Sequence, residues 1–257
     1  MHLTESCDDE LPHLITDVQT TPAPRCDSDM TLPIERSLET HHLLPNELLL
    51  DQGYVTADHL LSSQESYQVD LVGPIATNPS WQTRSQAGFG AADFEIHWSE
   101  QYALCPQGCR SVQWYANKNS HDQDTIQIRF AATDCTPCPV RSLCTQAATL
   151  PRTVRVRSQQ VCDAQEQART RQHTAEFKAV YAKRAGIEGT LSQSVRAFGL
   201  RRSRYIGEAK THLQHLMIAC ALNLARLFAW SQGQPLEHTR RSRFAALAPA
   251  SLAVANK

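Results

Sequence analysis

The sequence predicts an α/β protein interrupted by a small cysteine-rich β insertion. Three observations carry that prediction. Short runs of β-formers or continuous apolar residues recur through the first 75 residues, at 2–6, 13–20, 47–50 and 69–72. Helix-forming segments, the last of them strongly periodic, fill residues 161–232. Between them, residues 76–160 carry five cysteines on two arms, among residues that alternate as strands do. Four segments follow: 1–75 and 161–232 as two parts of one core, 76–160 as the insertion, and the Ala-rich 233–257 as a disordered tail.

In chain order, residues 2–6 and 13–20 read as a β-hairpin, because the intervening Cys-Asp-Asp-Glu-Leu-Pro is turn chemistry. A helix is expected over 31–44, with Pro33 near its start. The apolar run 47–50 ends in Asp51-Gln52-Gly53, as expected of a buried strand that presents its carboxylate at its C-terminal edge. Thr56 caps a helix through about Ser63, and the strand at 69–72 is broken by Gly73-Pro74. Residues 78–92 read as a loop, and Phe94, Ile96, Trp98, Ile126, Ile128 and Phe130 mark strands of the insertion. Residues 161–184 read as one long helix with a thin apolar stripe. Ile187, Leu191, Val195 and Phe198 then form one helical face expected to pack on a core, with Gly199 as the stop. The clearest helix spans 207–230, where Leu213, Leu216, Met217, Cys220, Leu224, Leu227 and Phe228 share a face expected to pack on the sheet.

At 257 residues and 41 % hydrophobic composition, the chain can bury an ordinary core. No apolar signal region follows Met1, and the longest apolar stretch is interrupted by His215, Asn223 and Arg226. Neither secretion nor membrane insertion is indicated, so a cytoplasmic location is expected, with the nine cysteines as reduced thiols. The net charge of −1 conceals an asymmetry: residues 141–210 hold 14 Lys/Arg against 5 Asp/Glu, a footprint suited to a polyanion.

The candidate chemistry centres on Glu188. It lies on the half-exposed edge of its helix, with Arg184 and Ser192 one turn to either side, and a solvated pair with Arg184 is the plain alternative. The run Arg201, Arg202, Arg204 and Lys210 follows, as phosphate-contacting segments do. This block, from Arg184-Ala-Gly-Ile-Glu188 through Arg201-Arg-Ser-Arg204-Tyr, resembles the last catalytic motif of DDE-type transposases of bacterial insertion sequences, in a subgroup with a cysteine cluster. Leu-Leu-Leu-Asp51-Gln-Gly-Tyr similarly resembles the family's second-Asp motif; a turn Asp beside Gly is the alternative.

The resemblance implies an RNase H-like mixed sheet and a catalytic pair, Asp51 and Glu188, holding Mg²⁺ in a two-metal site for strand cleavage and transfer. It implies DNA as partner, contacted by Arg184, Arg196, Arg201, Arg202, Arg204 and Lys210, a homo-oligomer, and no membrane. None of Asp8, Asp9, Asp17, Asp27 or Asp29 matches the family's first Asp, so a strand-late, inactive copy is expected. That reading leaves Leu3, Leu14 and Ile15 with unpaired backbone groups along an exposed edge. The alternatives are a non-catalytic zinc-ribbon DNA-binding remnant and a metal-dependent nuclease of RNase H-like fold.

The cysteines divide into Cys105-x3-Cys109 and Cys135-x2-Cys138-x5-Cys144, an arrangement that resembles a zinc ribbon. In the family the usual ligand positions correspond to Cys105, Cys135, Cys138 and Cys144, which leaves Cys109 as an extra thiol or a competitor for Zn²⁺. Reduced core cysteines are the alternative. Cys7, Cys26, Cys162 and Cys220 stand alone and read as structural.

Overall fold

The computed structural model describes residues 1–234 except 79, 86–87 and 121. The tail expected to be disordered lies outside them from residue 235 on. In chain order the elements begin with β1 (His2–Glu5), β2 (Ile15–Gln19), α1 (Thr31–Thr40), β3 (Glu47–Leu49), α2 (Ala57–Tyr67), β4 (Asp70–Val72) and α3 (Trp81–Ser85). The insertion follows with β5 (Glu95–His97), β6 (Tyr102–Leu104), β7 (Gln113–Lys118), β8 (Asp124–Arg129), α4 (Ala132–Cys135), α5 (Arg141–Cys144) and β9 (Thr153–Val156). The chain then continues through α6 (Gln159–Arg171), α7 (Ala175–Tyr181), α8 (Gly186–Phe198) and α9 (Glu208–Ser231). This is a mixed α/β chain, but among the described residues its strands form four separate small sheets rather than one. It divides into two units, one of residues 1–44 with 179–257 and one of residues 45–178.

In the first unit β1 and β2 form the expected antiparallel hairpin. The backbone beyond it is not left open. Leu14 exchanges bonds with Ser6, donating its N–H to the Ser6 hydroxyl (3.0 Å) and accepting from the Ser6 N–H (2.9 Å). The Asn223 amide of α9 accepts from the Ile15 N–H (2.8 Å) and donates to the Ile15 carbonyl (2.9 Å). The expectation of unpaired groups at Leu14 and Ile15 is therefore corrected: a helix side chain takes the place of a neighbouring strand.

The face of α9 is also corrected. Ile218, Ala219 and Leu222 pack with Ile15, Val18 and Leu200, with His215 buried on the same side. The stripe from Leu213 to Phe228 that was expected to pack on the sheet is exposed. The polar residues decide this. Asn223 must reach Ile15, and Arg226 donates to the Glu5 carboxylate (3.1 Å) and to the His13 carbonyl (2.6 Å), on the side of the helix opposite Leu213 and Leu224. Thr20 Oγ1 lies 2.8 Å from His215 Nδ1, and burial pushes the His215 imidazole below its ordinary pKa.

The same network rotates α8. Its buried residues are Thr190 and Ser194, because the Thr190 hydroxyl donates to Glu5 and accepts from Arg226, while Leu191 is 38 % exposed. Val195 and Phe198 still pack against the core, and Gly199 ends the helix at φ 65° as expected. The long helix expected over 161–184 is broken: Thr174 accepts from the Phe177 N–H and donates to the Arg171 carbonyl, ending α6 and capping α7.

In the second unit β3 and β4 pair in parallel across α2, which Thr56 caps as expected. Two bidentate pairs fasten α6 over this βαβ arrangement, Arg157 to Asp58 (2.7 and 3.1 Å) and Arg171 to Asp70 (2.6 and 2.7 Å). The insertion forms the β5–β6 and β7–β8–β9 sheets around Phe94, Ala103, Ile128, Phe130, Val154 and Val156.

Candidate active site and cysteine cluster

Asp51 stands two residues past β3, where the Leu50 N–H still donates to the Val72 carbonyl (3.0 Å) before the chain turns away. Its carboxylate is exposed at the C-terminal end of two parallel strands, the side from which such sheets present binding residues. The turn is shaped by Gly73. A β-carbon there would lie 2.5 Å from the Leu50 carbonyl oxygen and 2.7 Å from Val55 Cγ2, so only glycine lets β4 pass the strand end that carries Asp51.

Glu188 lies in the first turn of α8, belonging to the other unit, and its side chain is 72 % exposed. Arg184 Nη1 approaches its Oε1 at 3.6 Å, the pairing that the plain surface reading anticipates. Arg196 is exposed on the same helix, Arg201, Arg202 and Arg204 are exposed on the stretch leading into α9, and Lys210 is exposed in the first turn of α9. That stretch is held by Gln214, which accepts from the Arg204 N–H (2.9 Å) and donates to the Arg202 carbonyl (2.8 Å). The backbone is thus fixed while the guanidinium groups face solvent, an arrangement suited to phosphate contacts.

Three acids of the hairpin region have distinct settings. Asp8 is exposed in the turn, Asp9 pairs with Lys183 (2.7 Å), and buried Asp17 accepts from Ser37 (2.6 Å). Glu5, Thr190, Asn223 and Arg226 are the residues that sequence reasoning missed. The signal was Asn223 and Arg226 themselves, two polar interruptions of the most apolar helix.

All five insertion cysteines, 105, 109, 135, 138 and 144, line one small cavity of about 30 Å³ with Phe94, Phe130 and Arg152. Burial and then the neighbouring Cys105 push the Cys109 thiol up; burial also raises Cys144, against the pull of Arg152. Soft thiols converging from two arms are the right donor chemistry for zinc. Among the described residues, however, no three His, Cys, Asp or Glu side chains stand at the mutual spacing of a metal site. Cys105, Cys135 and Cys144 also pack against the insertion core, as reduced core cysteines would. Of the isolated cysteines read as structural, Cys26 and Cys220 are exposed.

Gly73→Ala is expected to destabilise the second unit by about 1–3 kcal/mol, the usual cost of overpacking. Thermal denaturation followed by circular dichroism checks this, and an unchanged midpoint would show that the Leu50–Asp51 backbone yields freely.

Residues 104–228 match the family model described as Transposase DDE domain. The match takes in the insertion cysteines, Glu188 and the basic run, and it leaves Asp51 outside. No curated protein and no solved structure matches the chain. Residues 104–228, just under half of the chain, are thus similar to the DDE domain of transposases.

Proposed function

We propose that this chain is the core of an insertion-sequence transposase with RNase H-like ancestry, contacting DNA through Arg184, Arg196, Arg201, Arg202, Arg204 and Lys210. The observation that carries the reading is the family match over the segment where Glu188 and the exposed basic run follow one another from α8 to the first turn of α9. Asp51 and Glu188 are the two carboxylates assigned to Mg²⁺. Held between such carboxylates, divalent cations supply activation of a water or 3′-hydroxyl and stabilisation of the leaving oxygen. The chain's own contribution is to present the two acids and to grip phosphates by charge. Its setting is the cytoplasm, and it works as a homo-oligomer.

A third carboxylate is required for a complete site. Asp9 pairs with Lys183, Asp17 is buried against Ser37, and Asp8, though exposed, carries no first-Asp motif, which supports the reading that this chain binds DNA without cutting it. Binding is expected to weaken steeply with salt, and Arg202→Glu with Arg204→Glu to weaken it by about tenfold or more, because each cation releases counterions. Nicking of supercoiled DNA in Mg²⁺ or Mn²⁺ is expected to be absent. Metal-dependent nicking that Glu188→Gln abolishes would overturn the inactive reading; unchanged affinity and salt slope in the doubly reversed variant would remove the DNA-contact assignment.

The same reading places a structural Zn²⁺ on Cys105, Cys135, Cys138 and Cys144, supported by the cavity they share. Metal analysis of purified protein is expected to give one zinc per chain, lost in Cys138→Ser. Metal-free protein with its insertion folded would leave these residues as core cysteines.

A further inference from the structure

Among the described residues, none buries the second apolar face of α9. Its inward side, carrying His215, Ile218, Ala219 and Leu222, is accounted for by β2 and α8. On the opposite side Leu213, Met217, Cys220, Leu224 and Leu227 follow one another at spacings of four, three, four and three residues, with Phe228 beside them. That is the 3.5-residue repeat of a helix-pairing seam, in which alternate residues insert between four residues of a facing helix. The seam lies in solvent: Leu213 is 59 %, Met217 62 %, Leu224 63 % and Phe228 67 % exposed.

We infer that this face of α9 pairs with the same face of a second copy of the chain. The area is sufficient. Together these side chains and their neighbours Leu216 and Trp230 expose roughly 700 Å² per copy, and two copies would bury on the order of 1,400 Å², within the range of stable interfaces. The charge pattern agrees. Between Thr211 and Ala225 the helix carries no Asp, Glu, Lys or Arg, and Arg226 is turned away to Glu5; Lys210 continues the seam at its start, and in an antiparallel pair centred on Cys220 it falls opposite Trp230 and not opposite its own copy, so the two faces meet without like-charge contact. Cys220 falls at the middle of Glu208–Ser231, so a two-fold axis through the centre of the pair brings the two Cys220 thiols together.

A bilayer is the other apolar partner that a helix of this length and composition can meet. It fits less well, because spanning would strip Arg226 from Glu5 and Asn223 from Ile15. The inference names the surface for the homo-oligomer of the proposed function. It is tested without DNA, so its failure and a failure of the DNA reading are separable.

The test is sedimentation of the full chain across roughly 1–100 µM, the range in which an interface of this size associates. A dimer is expected. Leu224→Glu is expected to raise its dissociation constant at least ~30-fold, by burying a charge at the centre of the seam, while Leu150→Glu, an exposed residue elsewhere, leaves it unchanged. Circular dichroism of both variants confirms that the fold is kept. A short bismaleimide, which joins two thiols through thioether bonds, is expected to give a covalent dimer that Cys220→Ser abolishes and Cys26→Ser does not. A monomer at every concentration overturns the inference, as does a dimer indifferent to Leu224→Glu. If that monomer dimerises once residues 235–257 are removed, the tail is the occupant; if it floats with neutral phosphatidylcholine vesicles, lipid is.

Discussion

Glu5 and Arg226 meet where β1, α8 and α9 come together, and the first unit is arranged around that pair. The Glu5 side chain is 6 % exposed, so its charge would be costly without a partner, and Arg226 supplies one while also donating to the His13 carbonyl and the Thr190 hydroxyl. One guanidinium thus orients three elements: the strand that holds Glu5, the turn end at His13 and the helix that begins beside Glu188. The consequence for function is positional. Glu188 lies two residues before Thr190, so the network that buries Thr190 holds Glu188 outward, with Arg184 beside it.

The second unit uses the same device in a more open setting. Arg157, just before α6, and Arg171, at its end, grip Asp58 and Asp70, tying that helix to the βαβ arrangement whose first strand leads into Asp51. Here the backbone does part of the positioning, since Gly73 admits the Leu50 carbonyl at a distance that no side chain would allow. The charged pairs fix orientation more than they add stability, because partly exposed pairs contribute little net free energy.

Local signals were legible where a single residue determines a boundary. Gly199 ends α8, Thr56 starts α2, and the turn between β1 and β2 was readable from its own chemistry. What the pattern did not reveal is direction. The apolar stripe of α9 is real but faces out, because the opposite side carries the two polar groups that had bonds to make. Periodicity locates a face and leaves open whether core or partner covers it. The break at Thr174 was hidden for a related reason: a hydroxyl that caps one helix and ends another looks like one more polar residue on a charged helix. The candidate site was legible only through a resemblance of motifs, and the family match spans the segment that holds Glu188 while leaving Asp51 outside.

The central claim is that polar anchors on α9, rather than its larger apolar stripe, choose the face that packs inward. A double-mutant cycle on Glu5→Gln and Arg226→Gln, read from urea unfolding, tests it most directly. Each single variant is expected to lose about 3–5 kcal/mol by stranding a buried charge, and the double variant to recover at least ~2 kcal/mol of the summed loss. Single losses below about 1 kcal/mol that simply add would show that the pair is incidental and that something else turns the helix.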